Sequence, residues 1–113
     1  MHEYSLVQSL LERVEAEARS KDAASVVKLQ VSIGELAGVE VELFAKAFAT
    51  FRERTACEHA ELGIRRVEAR WVCPSCEHAF SRGDVLTCGA CLLPARLAQG
   101  DEIVLDRIEM EVP

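Results

Sequence analysis

The sequence predicts an α+β fold: two helices packed on a three-stranded mixed sheet, with a small zinc-ribbon-like module inserted before the last strand. Three observations lead there. The hydrophobic period switches between the helical and the extended value along the chain. The elements follow the order helix, strand, helix, strand, insert, strand. Four of the five cysteines fall inside one turn-rich stretch near the C-terminus.

Residues 3–20 read as the first helix, because Leu6, Val7, Leu10, Leu11 and Val14 recur at helical spacing and share one face. Glu12, Glu15, Glu17 and Arg19 occupy much of the remainder. In "SVVKLQVSIG" the period drops to two: Val27, Leu29, Val31 and Ile33 alternate with Lys28, Gln30 and Ser32, and Gly34 ends a half-buried strand. "GELAGVE" is a turn region. Val41, Phe44, Ala47, Phe48 and Phe51 then restore helical spacing through about Arg54, as an apolar stripe for packing on a sheet.

The next segment, "ELGIRRVEARW", has Leu62 and Ile64 in one phase and Val67, Ala69 and Trp71 in the other. The switch near Arg65 and Arg66 predicts a bulge or a strand leaving its sheet. "DEIVLDRIEMEV" changes phase in the same way between Leu105 and Ile108 and supplies the last strand. A strand–helix–strand unit usually forms a parallel pair, and a return through the insert gives an antiparallel one, hence a mixed sheet. The expected division is an α/β domain of residues 1–69 and 99–113 and a zinc-binding domain of residues 70–98.

In 113 residues there is room for one compact domain or a small one carrying a smaller module. No apolar run approaches the roughly 18 residues that span a bilayer, and no signal-peptide pattern opens the chain, so a cytoplasmic protein is expected. A net charge of −6 speaks against a duplex nucleic-acid binder. In a reducing compartment the cysteines read better as metal ligands than as disulfides.

Cys73-x-x-Cys76 and Cys88-x-x-Cys91 form two pairs separated by eleven residues. Each turn can present two thiolates to one ion, and two turns complete the tetrahedral shell of Zn(II). Pro74 stiffens the first turn and Gly89 relieves the second, while Trp71 and Phe80 are candidates to cover the site. With four protein ligands no position is left for water, so the zinc is expected to be structural. The redox alternative for "CPSC" lacks the helix that should follow and does not explain the second pair. His78 is either a solvated loop residue or a partner of the zinc shell, Cys57 a packing residue, and His59 plain surface. No Ser, Cys or Thr has the companions of a catalytic nucleophile, so no enzyme is expected.

The first residues, "MHEYS", place an imidazole, two backbone nitrogens and the α-amine of Met1 within a few bonds. Such a donor set suits square-planar Ni(II) or Cu(II) far better than zinc. Together with the four-cysteine insert, "VSIGELAGVE", "FATFRE" and "QGDEIVLDRIEME", this opening resembles the HypA/HybF family of nickel metallochaperones over essentially the whole chain.

The resemblance implies that His2 is the essential nickel ligand, with the backbone nitrogen of Glu3 a co-ligand, and that Cys73, Cys76, Cys88 and Cys91 hold zinc. Glu40 matches a position that often carries an acidic group, to be weighed against a plain carboxylate at a helix start. The implied role is delivery of Ni(II) in maturation of [NiFe]-hydrogenase, and of urease in some relatives. The implied partners are the HypB GTPase and the hydrogenase large subunit; a homodimer is left open. The alternative is a zinc-ribbon interaction adaptor without a nickel role.

Overall fold

The computed structural model describes residues 2–112. Helix α1 spans His2–Ser20, strand β1 Ser25–Gly34, helix α2 Val41–Phe51 and strand β2 Glu61–Val67. Three short strands follow, β3 Arg70–Val72, β4 Ala79–Ser81 and β5 Arg96–Gln99, and β6, Ile103–Glu111, closes the order.

The first sheet has the order β2-β1-β6. β1 is central, parallel to β2 after the α2 crossover and antiparallel to β6. Val7, Leu11, Val14 and Ala18 of α1 join Phe44, Ala47 and Phe48 of α2 in one cluster with Val26, Leu29, Val31 and Ile33 of β1. Both helices therefore cover the same face, as their apolar stripes require. Phe44 and Phe48 are the largest side chains fully buried there. Burying each such ring stabilises the fold by about 2–3 kcal/mol.

Two local shifts refine the alternation seen in the sequence. Val26, not Val27, enters the core, because Val27 is an unpaired extra residue in the β1–β6 ladder and is 46% exposed. The second shift leaves Asp106 without a Cα partner between Arg107 and Leu105. That bulge is why the apolar residues of β6 change phase. On the face away from the helices, the Ser32 hydroxyl donates to the Asp106 carboxylate and accepts from Arg65 Nε at 3.2 Å.

The phase change in the β2 region has the other expected cause. The β1–β2 register runs unbroken from Glu61 to Val67, past Arg65 and Arg66. The chain then leaves the sheet at Glu68–Ala69 and enters a second one, ordered β4-β3-β5. Helix α2 stops at Phe51, short of Arg54, which adopts a left-handed φ of 63° and donates its N–H to Glu58 at 2.8 Å.

The two crossings between the sheets converge on Gly34. A methyl group on Gly34 would lie 2.2 Å from the Gly100 carbonyl oxygen, and one on Gly100 would lie 2.6 Å from Ala69 Cα. Gly100 also has a φ of 105°, which side-chain-bearing residues avoid. The result is a long molecule, with a radius of gyration of 17.9 Å against about 13 Å for a compact chain of this length.

Candidate metal centre

Both cysteine turns are built alike. In the first, Cys73 N–H donates to His78 O at 2.9 Å and Glu77 N–H to Cys73 O at 2.9 Å. In the second, Cys88 N–H donates to Leu93 O at 2.9 Å and Leu92 N–H to Cys88 O at 2.8 Å. The residue after each second cysteine is left-handed, Glu77 at φ 63° and Leu92 at φ 57°. This reversal folds each turn back so that its two sulfurs point the same way. Neither position carries glycine, so only the matched cysteine spacing hinted at it.

The β3–β4 and β3–β5 pairings bring the two turns face to face. All four sulfurs lie within 4.8 Å of one another, and Cys76 Sγ is 3.7 Å from Cys88 Sγ. A tetrahedron with Zn–S bonds near 2.3 Å has edges of about 3.8 Å. The cluster therefore fits a structural zinc site. Backbone N–H groups of Cys76 and Ser75 hold the Cys73 thiol down to about 7. Cys91, facing the sulfurs of Cys76 and Cys73, is pushed up to about 12. Four thiolates this close ionise together only around a cation, and zinc supplies that charge when bound.

Around the cluster Cys73, Cys88 and Phe80 are buried, with Trp71, Leu86 and Ala95 packed against them. Trp71 pairs with Phe80 across β3 and β4, in the covering role expected of them. So few apolar groups cannot hold a fold of this size without the ion. His78 lies outside the sulfur cluster and sets its ring edge-on to Phe80, 4.8 Å between centroids. Cys57 belongs to the main core: it is fully buried, and burial pushes its thiol up to about 11. His59 is exposed beside Glu58, at 3.3 Å.

At the other end of the molecule, His2 is the first residue of α1 and is exposed. Met1, and with it the α-amine, lies outside the described residues. The first amides of a helix have no carbonyl one turn back to bind, so those of His2 and Glu3 are not committed to the helix ladder. Glu3 Oε2 accepts the Glu40 N–H at 3.1 Å, and this bond is the main reason its carboxyl sits below the ordinary range; its own N–H adds to the effect. Glu40 is the residue before α2, and its side chain makes no capping bond. The contact between the helix starts thus runs from the Glu3 carboxylate to the Glu40 backbone, a tie the sequence did not reveal. Among the described residues no further group of three His, Cys, Asp or Glu donors gathers where it could hold an ion. His2, Glu3 and Glu40 are not a preassembled side-chain cage.

Residues 1–110 match the family model described as "Hydrogenase/urease nickel incorporation, metallochaperone, hypA". The chain is 40% identical to the hydrogenase maturation factor HypA of Aquifex aeolicus, over 99% of each chain. It is 40% identical to the factor of the same name from Wolinella succinogenes, over 98% of this chain and 96% of that one. The solution structure of the Ni metallochaperone HypA from Helicobacter pylori superposes with a TM-score of 0.73 at 32% identity, covering 98% of both chains. A second solution structure of a HypA protein gives 0.82 at 33% identity, covering all of this chain and 98% of the other. With the mixed sheet, the paired cysteine turns and the match along nearly its whole length, the chain belongs to the HypA family of nickel-incorporation metallochaperones.

Proposed function

We propose that this chain binds Ni(II) at its N-terminus and hands it to the [NiFe]-hydrogenase large subunit, with the HypB GTPase as partner in delivery or release. It acts in the cytoplasm as a carrier and not as a catalyst. Urease is a second client open to the same chemistry. His2 is the essential ligand, through its imidazole, with the backbone nitrogens of His2 and Glu3 beside it. Residues 70–98 form the zinc-dependent domain, and the rest of the chain forms the nickel-binding one.

One observation carries the reading: α1 begins at an exposed His2 whose neighbour is tied down. The bond from Glu40 N–H to the Glu3 carboxylate holds the first turn in place, while the imidazole faces solvent. Imidazole and deprotonated amides favour a square-planar Ni(II). An exposed site of few ligands can release its ion by ligand exchange, whereas a closed cage cannot. Glu40 contributes through its backbone, and its carboxylate is a further ligand only if the first turn rearranges around the metal.

Titrating zinc-loaded protein that keeps its native N-terminus with Ni(II), beside His2→Ala, tests this. The variant should lose at least tenfold in affinity, in line with the loss of a principal ligand. Equal affinity would refute the carrier reading and leave the zinc-ribbon adaptor.

A further inference from the structure

The zinc module meets the α/β unit in a small joint. Residues 34–36 pass between the two crossings: Gly34 N–H donates to Glu102 O at 2.9 Å, Glu35 N–H to Val67 O at 2.8 Å and Leu36 N–H to Gly100 O at 2.7 Å. These bonds fix the root of the module. None of the extensive packing between elements joins one sheet to the other.

One side chain reaches past the root. Glu35 Oε1 accepts the Ala69 N–H at 2.8 Å, and Oε2 accepts from Arg82 Nη1, in the turn after β4, at 2.7 Å. Arg70 Nη2 also meets Glu68 Oε2 at 3.4 Å, but those two residues sit at the crossing itself. Among the described residues Glu35–Arg82 is the one ion pair that reaches from the α/β unit to the module beyond its root. It spans a cleft of about 510 Å³ that is lined by Val39, Glu40, Arg66 and Glu68 as well as by the pair itself. The Arg82 side chain is 69% exposed and that of Glu35 31%. A pair in that setting is weak and sensitive to salt, which suits a contact made to open.

We propose that Glu35 is a latch: through Arg82 it holds the zinc module in the orientation seen here, and release of that arm lets the module swing about the Gly34–Gly100 joint. The Ala69 arm keeps the carboxylate aimed, and the joint's backbone bonds stay closed while the module moves. The latch goes beyond metal carriage and stands whether or not His2 binds nickel.

Residual dipolar couplings of the zinc-loaded full chain test it, with small-angle scattering alongside. In the wild type both sheets should fit one alignment tensor. In Arg82→Ala the module should need its own, reduced tensor, with the opening equilibrium raised about two- to fivefold, the range for an exposed ion pair. Amide shifts of the two cysteine turns and the Ala69 N–H should not change, and Arg82→Lys should restore most of the order. Wild type in 1 M salt, where the screening length falls to about 3 Å, should behave as Arg82→Ala does. That arm decides the question if the variant fails to fold. A single unchanged tensor in Arg82→Ala, or in high salt, would overturn the latch and leave orientation to the backbone joint alone.

Discussion

Replacing Gly100 by alanine tests how the two sheets are joined, because two separate costs meet at that residue. The backbone φ of 105° is one that an alanine resists, and the added methyl would sit 2.6 Å from Ala69 Cα and 2.9 Å from Ala69 N. Those neighbours are backbone atoms and cannot rotate away. Gly38 isolates the first cost: its φ is 74°, but nothing lies within 4 Å of the methyl it would gain. Gly34 isolates the second, since its methyl would meet the Gly100 carbonyl oxygen at 2.2 Å without an unusual φ.

An unfavourable φ costs about 1–2 kcal/mol, offset by about 0.4–1 kcal/mol from the stiffer unfolded chain. Overpacking costs about 1–3 kcal/mol. A chain of this length loses about 4 °C of Tm per kcal/mol. Gly38→Ala should therefore fall by no more than about 6 °C and Gly34→Ala, with the same offset, by up to about 10 °C, while Gly100→Ala, which carries both costs, should melt below each of them. Thermal unfolding of zinc-loaded protein, followed by the helical circular dichroism signal, reads all three. If Gly100→Ala and Gly38→Ala melt together, the close approach of the crossings is not what the glycine serves.

The zinc cluster, the core thiol and the Glu35 carboxylate give three further expectations. Cys88→Ser, or a strong chelator, should abolish the amide protection of β3–β5 while most helical signal remains; full retention of that protection would show that the module folds without metal. Cys57, buried and with its thiol pushed up to about 11, should resist iodoacetamide at pH 8 in native zinc-loaded protein and react within minutes once unfolded. Glu35 should titrate below the ordinary glutamate range, held down by the Ala69 N–H and then by Arg82. Its contribution to stability is thus present above its unfolded value and is lost as pH falls through its folded one. Carboxyl-detected titration of wild type and Arg82→Ala measures this, and the variant should move back toward the ordinary range.

The sequence carried the elements well because each has an apolar face of one period. The stripe from Phe44 to Phe51 can bury itself only as a helix, and Leu29, Val31 and Ile33 only as a strand. The paired cysteines were equally legible, since their chemistry demands proximity whatever the backbone does. The bulge at Asp106 was legible too, in the phase change between Leu105 and Ile108. Legibility failed at Val27: its bulge shifts the phase of the strand beyond it, and no side-chain preference announces it. It failed again where backbone meets side chain across the fold. Glu35 looks like any turn glutamate until the crossing at Ala69 places an N–H against it. Glu3 likewise looks like a helix-start carboxylate until α2 brings the Glu40 amide to it.

The place of the insert gives the ion a second, remote effect. Residues 68–102 separate β2 from β6, and β6 must come back to pair with the central strand of the first sheet. An unfolded insert makes that return the closure of a long flexible loop. With β3 and β5 paired at the neck of the module, only the few residues at its root still have to be closed. Shortening a loop about sevenfold saves about 1.7 kcal/mol of closure entropy. A zinc ion that touches no residue of the main core thus acts as a clasp on it, and its loss should loosen β6 along with the module itself.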